Sequence, residues 1–295
     1  MFANFVLNKS EIYYKTRLIL SAFFVLIKQM NNKTLSSIFV SHGAPTLVLE
    51  ESAAHLFLKQ LGKDLIKTYG KPAAILAISA HWETQIPTVS GAEKPEMIYD
   101  FGGFSPELYE IIYPAPGAPQ LAKRVGELLA ANHSTFRIST TRGLDHGAWV
   151  PLTLMFPAAD IPVAQFSVLR GETPRKHYEI GRALAELRKE NVLILGLGSL
   201  THNLFELNST NETPAWAREF DSWFDEKLMS GDLESILNYR HLAPNAERAH
   251  PTPEHLLPIF TALGAGNFPA EKAARLHQSW TFGSLSMASY SFGDL

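Results

Sequence analysis

Short apolar runs that lead directly into polar, glycine-bearing segments, with helical patterns interleaved, constrain this chain more than any other feature. They fall at residues 37–40, ahead of His42; at 73–79, ahead of His81; at 163–168, ahead of a Gly-Glu-Thr-Pro turn; and at 191–197, ahead of Gly198-Ser199. Amphipathic helical patterns occupy 118–131, 175–190 and 213–229. Apolar runs of strand length alternating with such helices predict an α/β fold, with a central mixed sheet flanked by helices on both faces. In sheets of this kind ligands bind beyond the carboxyl ends of the strands. His42, His81 and His202 each follow a predicted strand within five residues, so an active site is expected at the strand C-terminal ends. The last third changes character. An irregular stretch rich in Pro and His covers 241–258, an apolar helical pattern covers 256–263, and an alternating run at 280–292 reads as one final strand.

A chain of 295 residues can bury a large core, and no linker divides it, so one catalytic domain is expected over 36–295. Hydrophobic residues at 46% and charged residues at 19% exclude the disordered and membrane-embedded classes. A formal net charge of -3 offers no basic field for a phosphate backbone, so no nucleic-acid partner is expected. There is no cysteine, which removes disulfides, thiolate-bound zinc, iron–sulfur clusters and thiol nucleophiles; a transition metal here must use nitrogen and oxygen ligands. Residues 1–35 stand apart. Lys15 and Arg17 precede an apolar stretch at 18–27 that is too short to span a bilayer and has no small-residue cleavage site before Lys28. The segment reads as an extension, as sequence ahead of a true start at Met30, or as a weak targeting segment. The expected location is cytoplasmic, with no membrane partner.

A site that binds Fe(II) or Zn(II) through neutral side chains needs two or three imidazoles on rigid elements, with coordination positions left open. His42 and His81 each follow a strand and a small residue, Ser41 and Ala80, and precede Gly43 and Trp82. Singly, either reads equally as a histidine capping a strand end by hydrogen bonding. Two equivalent placements on neighbouring strands point to a shared metal. The segments at 143–149, with Asp145-His146 between glycines, and at 198–204, with His202 after a small-residue turn, concentrate the same features. Asp145-His146 reads alternatively as a helix N-cap with an incidental histidine.

Several ordered motifs carry a resemblance. They are Ser-His-Gly-Ala-Pro (41–45), Ser-Ala-His-Trp (79–82), Asp-Phe-Gly-Gly-Phe-Ser-Pro-Glu-Leu-Tyr (100–109), Tyr-Pro-Ala-Pro-Gly (113–117), Leu-Asp-His-Gly-Ala-Trp (144–149), Thr-His-Asn-Leu (201–204), Pro-Thr-Pro-Glu-His-Leu-Leu-Pro (251–258) and Gly-Ser-Leu-Ser-Met (283–287). Together they resemble the DOPA-dioxygenase type of extradiol ring-opening dioxygenase, within the class III, protocatechuate 4,5-dioxygenase-like superfamily. The resemblance implies His42, His81 and His255 as metal ligands. It implies His202 as an acid/base histidine that is a fourth ligand in some members, and His146 as a second histidine lining the substrate pocket. His241 and His250 lie close to His255 in similar sequence, and Glu254 is an alternative third ligand, because a related branch uses glutamate.

The implied reaction cleaves a catechol ring with dioxygen at Fe(II) and gives a ring-opened semialdehyde. The same ligand set suits zinc, which the affinity order places above ferrous iron, so Zn(II) is a competing occupant. His202, with an ordinary pKa of about 6.5, would take and return a catechol proton. His146 would hydrogen-bond the bound oxygen or a substrate hydroxyl, with Asp145 or a backbone carbonyl fixing its tautomer. Phe101, Phe104, Tyr109, Tyr113 and Trp149 are candidates for an aromatic pocket wall or for core, and Arg142 and Lys71 for meeting a substrate carboxylate. The expected partners are a small catechol and dioxygen, and the expected assembly is a monomer or small homo-oligomer. Two other functions use the same histidines: a zinc-dependent hydrolase that activates water, and a non-catalytic metal-binding relative.

Overall fold

The structure, a computed structural model, describes residues 34–208 and 212–293. Of the expected extension, all but Thr34 and Leu35 lies outside the described residues, and Leu35–Leu295 groups as one unit. Four apolar segments form the centre of an eight-stranded sheet. They are β1 (Ser37–Ser41), β2 (Ala74–Thr84), β5 (Val163–Leu169) and β6 (Val192–Gly198), with the short β3 (Thr88–Ser90) and β4 (Arg137–Ser139) at one side. The other side is built by β7 (Ala273–His277) and β10 (Ser289–Phe292), and a separate hairpin pairs β8 (Trp280–Thr281) with β9 (Leu285–Ser286).

The sheet order is β4-β3-β5-β2-β6-β1-β10-β7. The central strands β5, β2, β6 and β1 run parallel, with Ile38 opposite Leu195 and Leu76 opposite both Ile194 and Ala164. Antiparallel pairing enters at β3 with β5, and at β10 with both β1 and β7, which makes the sheet mixed, as expected.

Side chains of the parallel strands alternate between two buried layers, which is why the strands read as continuous apolar runs in the sequence. On one face Leu76, Ile78, Phe166 and Ile194 pack with residues of the helices Pro119–Ala131, Pro174–Leu184, Ala215–Ser230 and Leu257–Ala265. On the other face Ile75, Ala77, Leu193 and Leu195 meet the helices Ala53–Tyr69 and His146–Met155.

Four sequence expectations need correction. β1 and β2, which carry the chain to His42 and His81, are not neighbours; β6 lies between them and pairs with both. β2 continues past Ser79 to Thr84, so His81 does not follow the strand; it lies inside it, where the register with β5 breaks between Ser79 and Glu83. The run at 280–292 is not one strand. Phe282 and Gly283 take positive φ (49° and 74°) and fold β8 back on β9 before β10 joins the sheet. The pattern at 175–190 is an α-helix to Leu184 followed by a 3-10 turn, Ala185–Glu190. No helix among the described residues is long and apolar enough to cross a membrane.

Candidate metal centre

The C-terminal ends of β1, β2 and β6, two loops and the start of the His146–Met155 helix bring the histidines together. Backbone pairing carries His42 to the site: Ser41 is opposite Gly198, and His42 N–H donates to Gly198 O at 2.9 Å. Gly43 then turns the chain with φ +69°, which a glycine adopts without the steric cost of a Cβ. The loop ahead of the Leu257–Ala265 helix is tied to the end of β6 by Ser199 N–H donating to His255 O at 2.8 Å, and His202 N–H donates to Ala249 O at 2.8 Å.

Three ring nitrogens converge. His81 Nε2 lies 3.2 Å from His42 Nε2 and 3.3 Å from His255 Nε2. Each opposite nitrogen faces an acceptor: His42 Nδ1 is 2.7 Å from Gly43 O, His255 Nδ1 is 2.9 Å from Glu254 Oε1, and His81 Nδ1 is 3.2 Å from Asp100 Oδ2. A proton donated from each Nδ1 leaves each Nε2 as a lone pair aimed at the same point. Nitrogens about 2.1 Å from a shared metal, at octahedral or tetrahedral angles, stand about 3.0–3.4 Å from one another, so the observed spacing fits a divalent cation. Burial, then repulsion from neighbouring imidazoles, drives the pKa of His42 and His255 well below that of ordinary histidine, which keeps both rings neutral.

Two other groupings could hold an ion, His81 with Asp100 and His146, and His202 with Glu254 and His255. Both overlap the first, and their carboxylates already accept hydrogen bonds from imidazoles. Glu254 sits behind His255, with Oε1 also accepting from Thr252 Oγ1 at 3.0 Å. Of the neighbouring histidines, His250 is buried with Nε2 on Leu200 O at 2.8 Å, and His241 is exposed.

His202 and His146 flank the trio. The His202 ring stacks on His255, with centroids 3.4 Å apart and planes 7° from parallel. Its expected ordinary pKa is not what the site provides: burial first, then His250, His81 and His146, push it down to about 3. His146 opens its helix, and Asp145 is the N-cap, accepting from Ala148 N–H at 3.2 Å. Asp145 therefore caps the helix, and His146 lines the cavity beside it. Asp145 does not orient the His146 ring, however; Asp100 Oδ1 lies 2.7 Å from His146 Nδ1. Burial alone would raise the Asp100 pKa, but hydrogen bonds from His146 and His81 outweigh it and hold the carboxyl well below the usual range.

These groups face a cavity of about 740 Å³ walled by Phe101, Phe104, Leu204, Phe205, Phe282 and Met287 among others. Of the aromatic candidates, Phe101 and Phe104 line it. Trp149 and Tyr113 are core, donating to Ile98 O and Phe156 O, and Tyr109 packs on Phe101 from outside the lining. Arg142 is committed to Asp145 at 2.6 Å and lies over the Trp82 ring, while Lys71 pairs with Asp160 at 2.5 Å before β2 begins. Neither lines the cavity. The sequence pattern singles out neither Phe205, Phe282 and Met287 as wall nor Asp100 as a partner of two rings.

Gly147 explains one spacing in the 144–149 motif. A Cβ there would stand 2.6 Å from His81 Cδ2 and 3.0 Å from Ser79 Oγ. Gly147→Ala should cost about 1–3 kcal/mol by overpacking and displace the His81 ring, so thermal unfolding and a Zn(II) titration should both register a loss.

Residues 36–293 match the family described as "Catalytic LigB subunit of aromatic ring-opening dioxygenase". The chain belongs to this family, an enzyme class that opens aromatic rings by extradiol cleavage at a non-haem metal. Its relatives include proteins named "4,5-DOPA dioxygenase extradiol". The one from Beta vulgaris is 44% identical over 263 residues, covering 86% of this chain and 95% of that protein. The one from Portulaca grandiflora is 42% identical, covering 88% and 96%, and the one from Escherichia coli K12 is 36% identical, covering 90% and 97%. A crystal structure of an uncharacterized Escherichia coli K12 protein superposes with a TM-score of 0.74 at 32% identity, covering 88% of this chain and all of that one.

Proposed function

We propose that the chain cleaves the ring of a DOPA-like catechol with dioxygen, using Fe(II) held by His42, His81 and His255, and releases a ring-opened semialdehyde. The observation that carries this reading is the convergence of three Nε2 atoms beside an apolar-walled cavity. Bound there, the ferrous ion would supply Lewis acidity and redox chemistry for catechol and oxygen together. His202 is kept neutral by burial and neighbouring imidazoles, and the negative charge of a bound catecholate would raise its proton affinity, which suits it to accept the second catechol proton. His146, its Nδ1–H committed to Asp100, turns Nε2 inward as an acceptor and so suits a substrate hydroxyl. The surrounding aromatic and aliphatic wall would pack against the ring. The proposal carries a small catechol and dioxygen as the partners of a cytoplasmic monomer or small homo-oligomer; the names of the relatives support DOPA.

Loading the apo-protein anaerobically with Fe(II), then admitting air with L-DOPA or catechol, should give oxygen uptake and a yellow product. No uptake with either would overturn the proposal, and anaerobic turnover of an ester or amide would favour the zinc hydrolase instead. Among the described residues that line the cavity there is no lysine or arginine, while Asp100 and Glu254 are acidic. A carboxylate fixed directly on the ring would therefore be buried unpaired against apolar wall. The DOPA carboxylate, two carbons off the ring, has reach toward the opening. Protocatechuate is thus expected to show kcat/KM at least about tenfold below catechol, a factor that corresponds to about 1.4 kcal/mol.

A further inference from the structure

Asp100 begins the motif at 100–109 and lies in the loop after β3, on no helix or strand. Its carboxylate is inserted between two imidazoles of the site. Oδ1 takes both donors of His146, ring Nδ1 at 2.7 Å and backbone N–H at 3.1 Å, while Oδ2 lies 3.2 Å from His81 Nδ1. One side chain thus faces a candidate metal ligand with one oxygen and a substrate-facing histidine with the other.

We propose that Asp100 is a positioning residue that sets the tautomer of His81 and His146 together, keeping both Nε2 atoms unprotonated toward the cavity. A neutral imidazole carries a single N–H, and an ionised carboxylate only accepts. Two Nδ1 protons directed at one carboxylate therefore leave two Nε2 lone pairs. Among the described residues no other carboxylate has this reach. Asp145, though fully buried, meets Ser79, Arg142, Gln165 and the Ala148 N–H, and its hydrogen bonds include no ring nitrogen of either histidine. Glu254 serves one ring, and both of its hydrogen bonds use the same oxygen, Oε1.

The isostere Asp100→Asn separates orientation from mere packing. An asparagine side chain has one accepting and one donating end. The His146 backbone N–H cannot change its polarity, so the amide oxygen must stay on that side and the NH2 must face His81 Nδ1. His81 can meet that donor only by accepting at Nδ1, which moves its own proton to Nε2, the atom aimed at the metal position. His146 keeps its tautomer. The consequence for metal binding rests on the three-histidine reading; the tautomers do not, since they belong to the metal-free protein.

The test is imidazole nitrogen NMR of the apo-protein, with His81 assigned from His81→Asn, together with calorimetric titration of Zn(II). In the wild type both rings should carry the proton on Nδ1. In Asp100→Asn the His81 proton should move to Nε2, the His146 proton should stay, and Zn(II) affinity should fall about 10–100-fold, the range for losing an outer partner of a ligand. A wild-type His81 protonated on Nε2 overturns the inference whether or not the variant folds. So does a variant in which the His81 tautomer or the Zn(II) affinity is unchanged, and in that case the three-histidine reading stands. If the wild type binds no divalent metal, that reading falls, and the two tautomers alone decide the role of Asp100.

Discussion

His255→Ala should remove metal-dependent stabilisation and oxygen uptake together. A bound ion stabilises the folded state by about 4 kcal/mol when its concentration is a thousand times Kd. The unfolding temperature of the wild type should therefore rise clearly with added Zn(II) or anaerobic Fe(II). His255 supplies one of three convergent Nε2 atoms, and two imidazoles do not replace three. Because losing only an outer partner of a ligand costs about 10–100-fold, losing the ligand should cost more than a hundredfold in affinity, and the thermal shift should vanish at micromolar metal.

Glu254→Gln gives the opposing result that makes this decisive. The carboxylate of Glu254 accepts from His255 Nδ1 and from Thr252 Oγ1 through Oε1 alone, and an amide oxygen can do the same. Most of the metal-induced shift should survive. If instead Glu254→Gln loses the shift and His255→Ala retains it, the third ligand is the glutamate, and the chain uses the ligand set of the other branch of the superfamily.

What the sequence reveals, and what it hides, follows from where each residue gets its position. His42 is legible because a parallel strand leads to it and glycine follows; local pattern and tertiary placement agree there. His81 is legible as a site residue for a partly wrong reason, since the strand runs on past it and a register break turns its ring to the cavity. His255 cannot be separated from His250 and His241 by pattern, because all three lie in irregular sequence. Tertiary pairing separates two of them at the end of β6: Ser199 N–H holds His255 O and leaves the His255 Nε2 beside His81, whereas His250 commits its Nε2 to Leu200 O. The His146–Met155 helix is invisible to periodicity because nine of its ten residues are buried, leaving no polar face to alternate with. Asp100 is hidden for a further reason. Its partners are 19 residues before it and 46 residues after it in the chain, and a loop carboxylate has no sequence signature that says which rings it will meet.

His202→Ala should leave the metal in place and stop the reaction. Among the described residues no hydrogen bond to the His202 ring fixes it as a structural group; it is held by its stack on His255. Removing a positioned general base costs about 10²–10⁴ in rate, and that loss should appear in kcat with Zn(II) affinity changed by little. A parallel fall in affinity would instead make His202 a fourth ligand. The pH profile supplies the second arm. Burial, reinforced by His250, His81 and His146, pushes the His202 pKa down to about 3, so the ring is deprotonated at every pH above that value. It is therefore a base already at about pH 5.5, and the wild-type kcat/KM should show no acid limb near pH 6.5, the ordinary histidine value, while the metal stays bound. A limb at about 6.5 that disappears in His202→Ala would mean that solvent reaches the ring in the working enzyme, and that the stacked, desolvated geometry is not the one that transfers the proton.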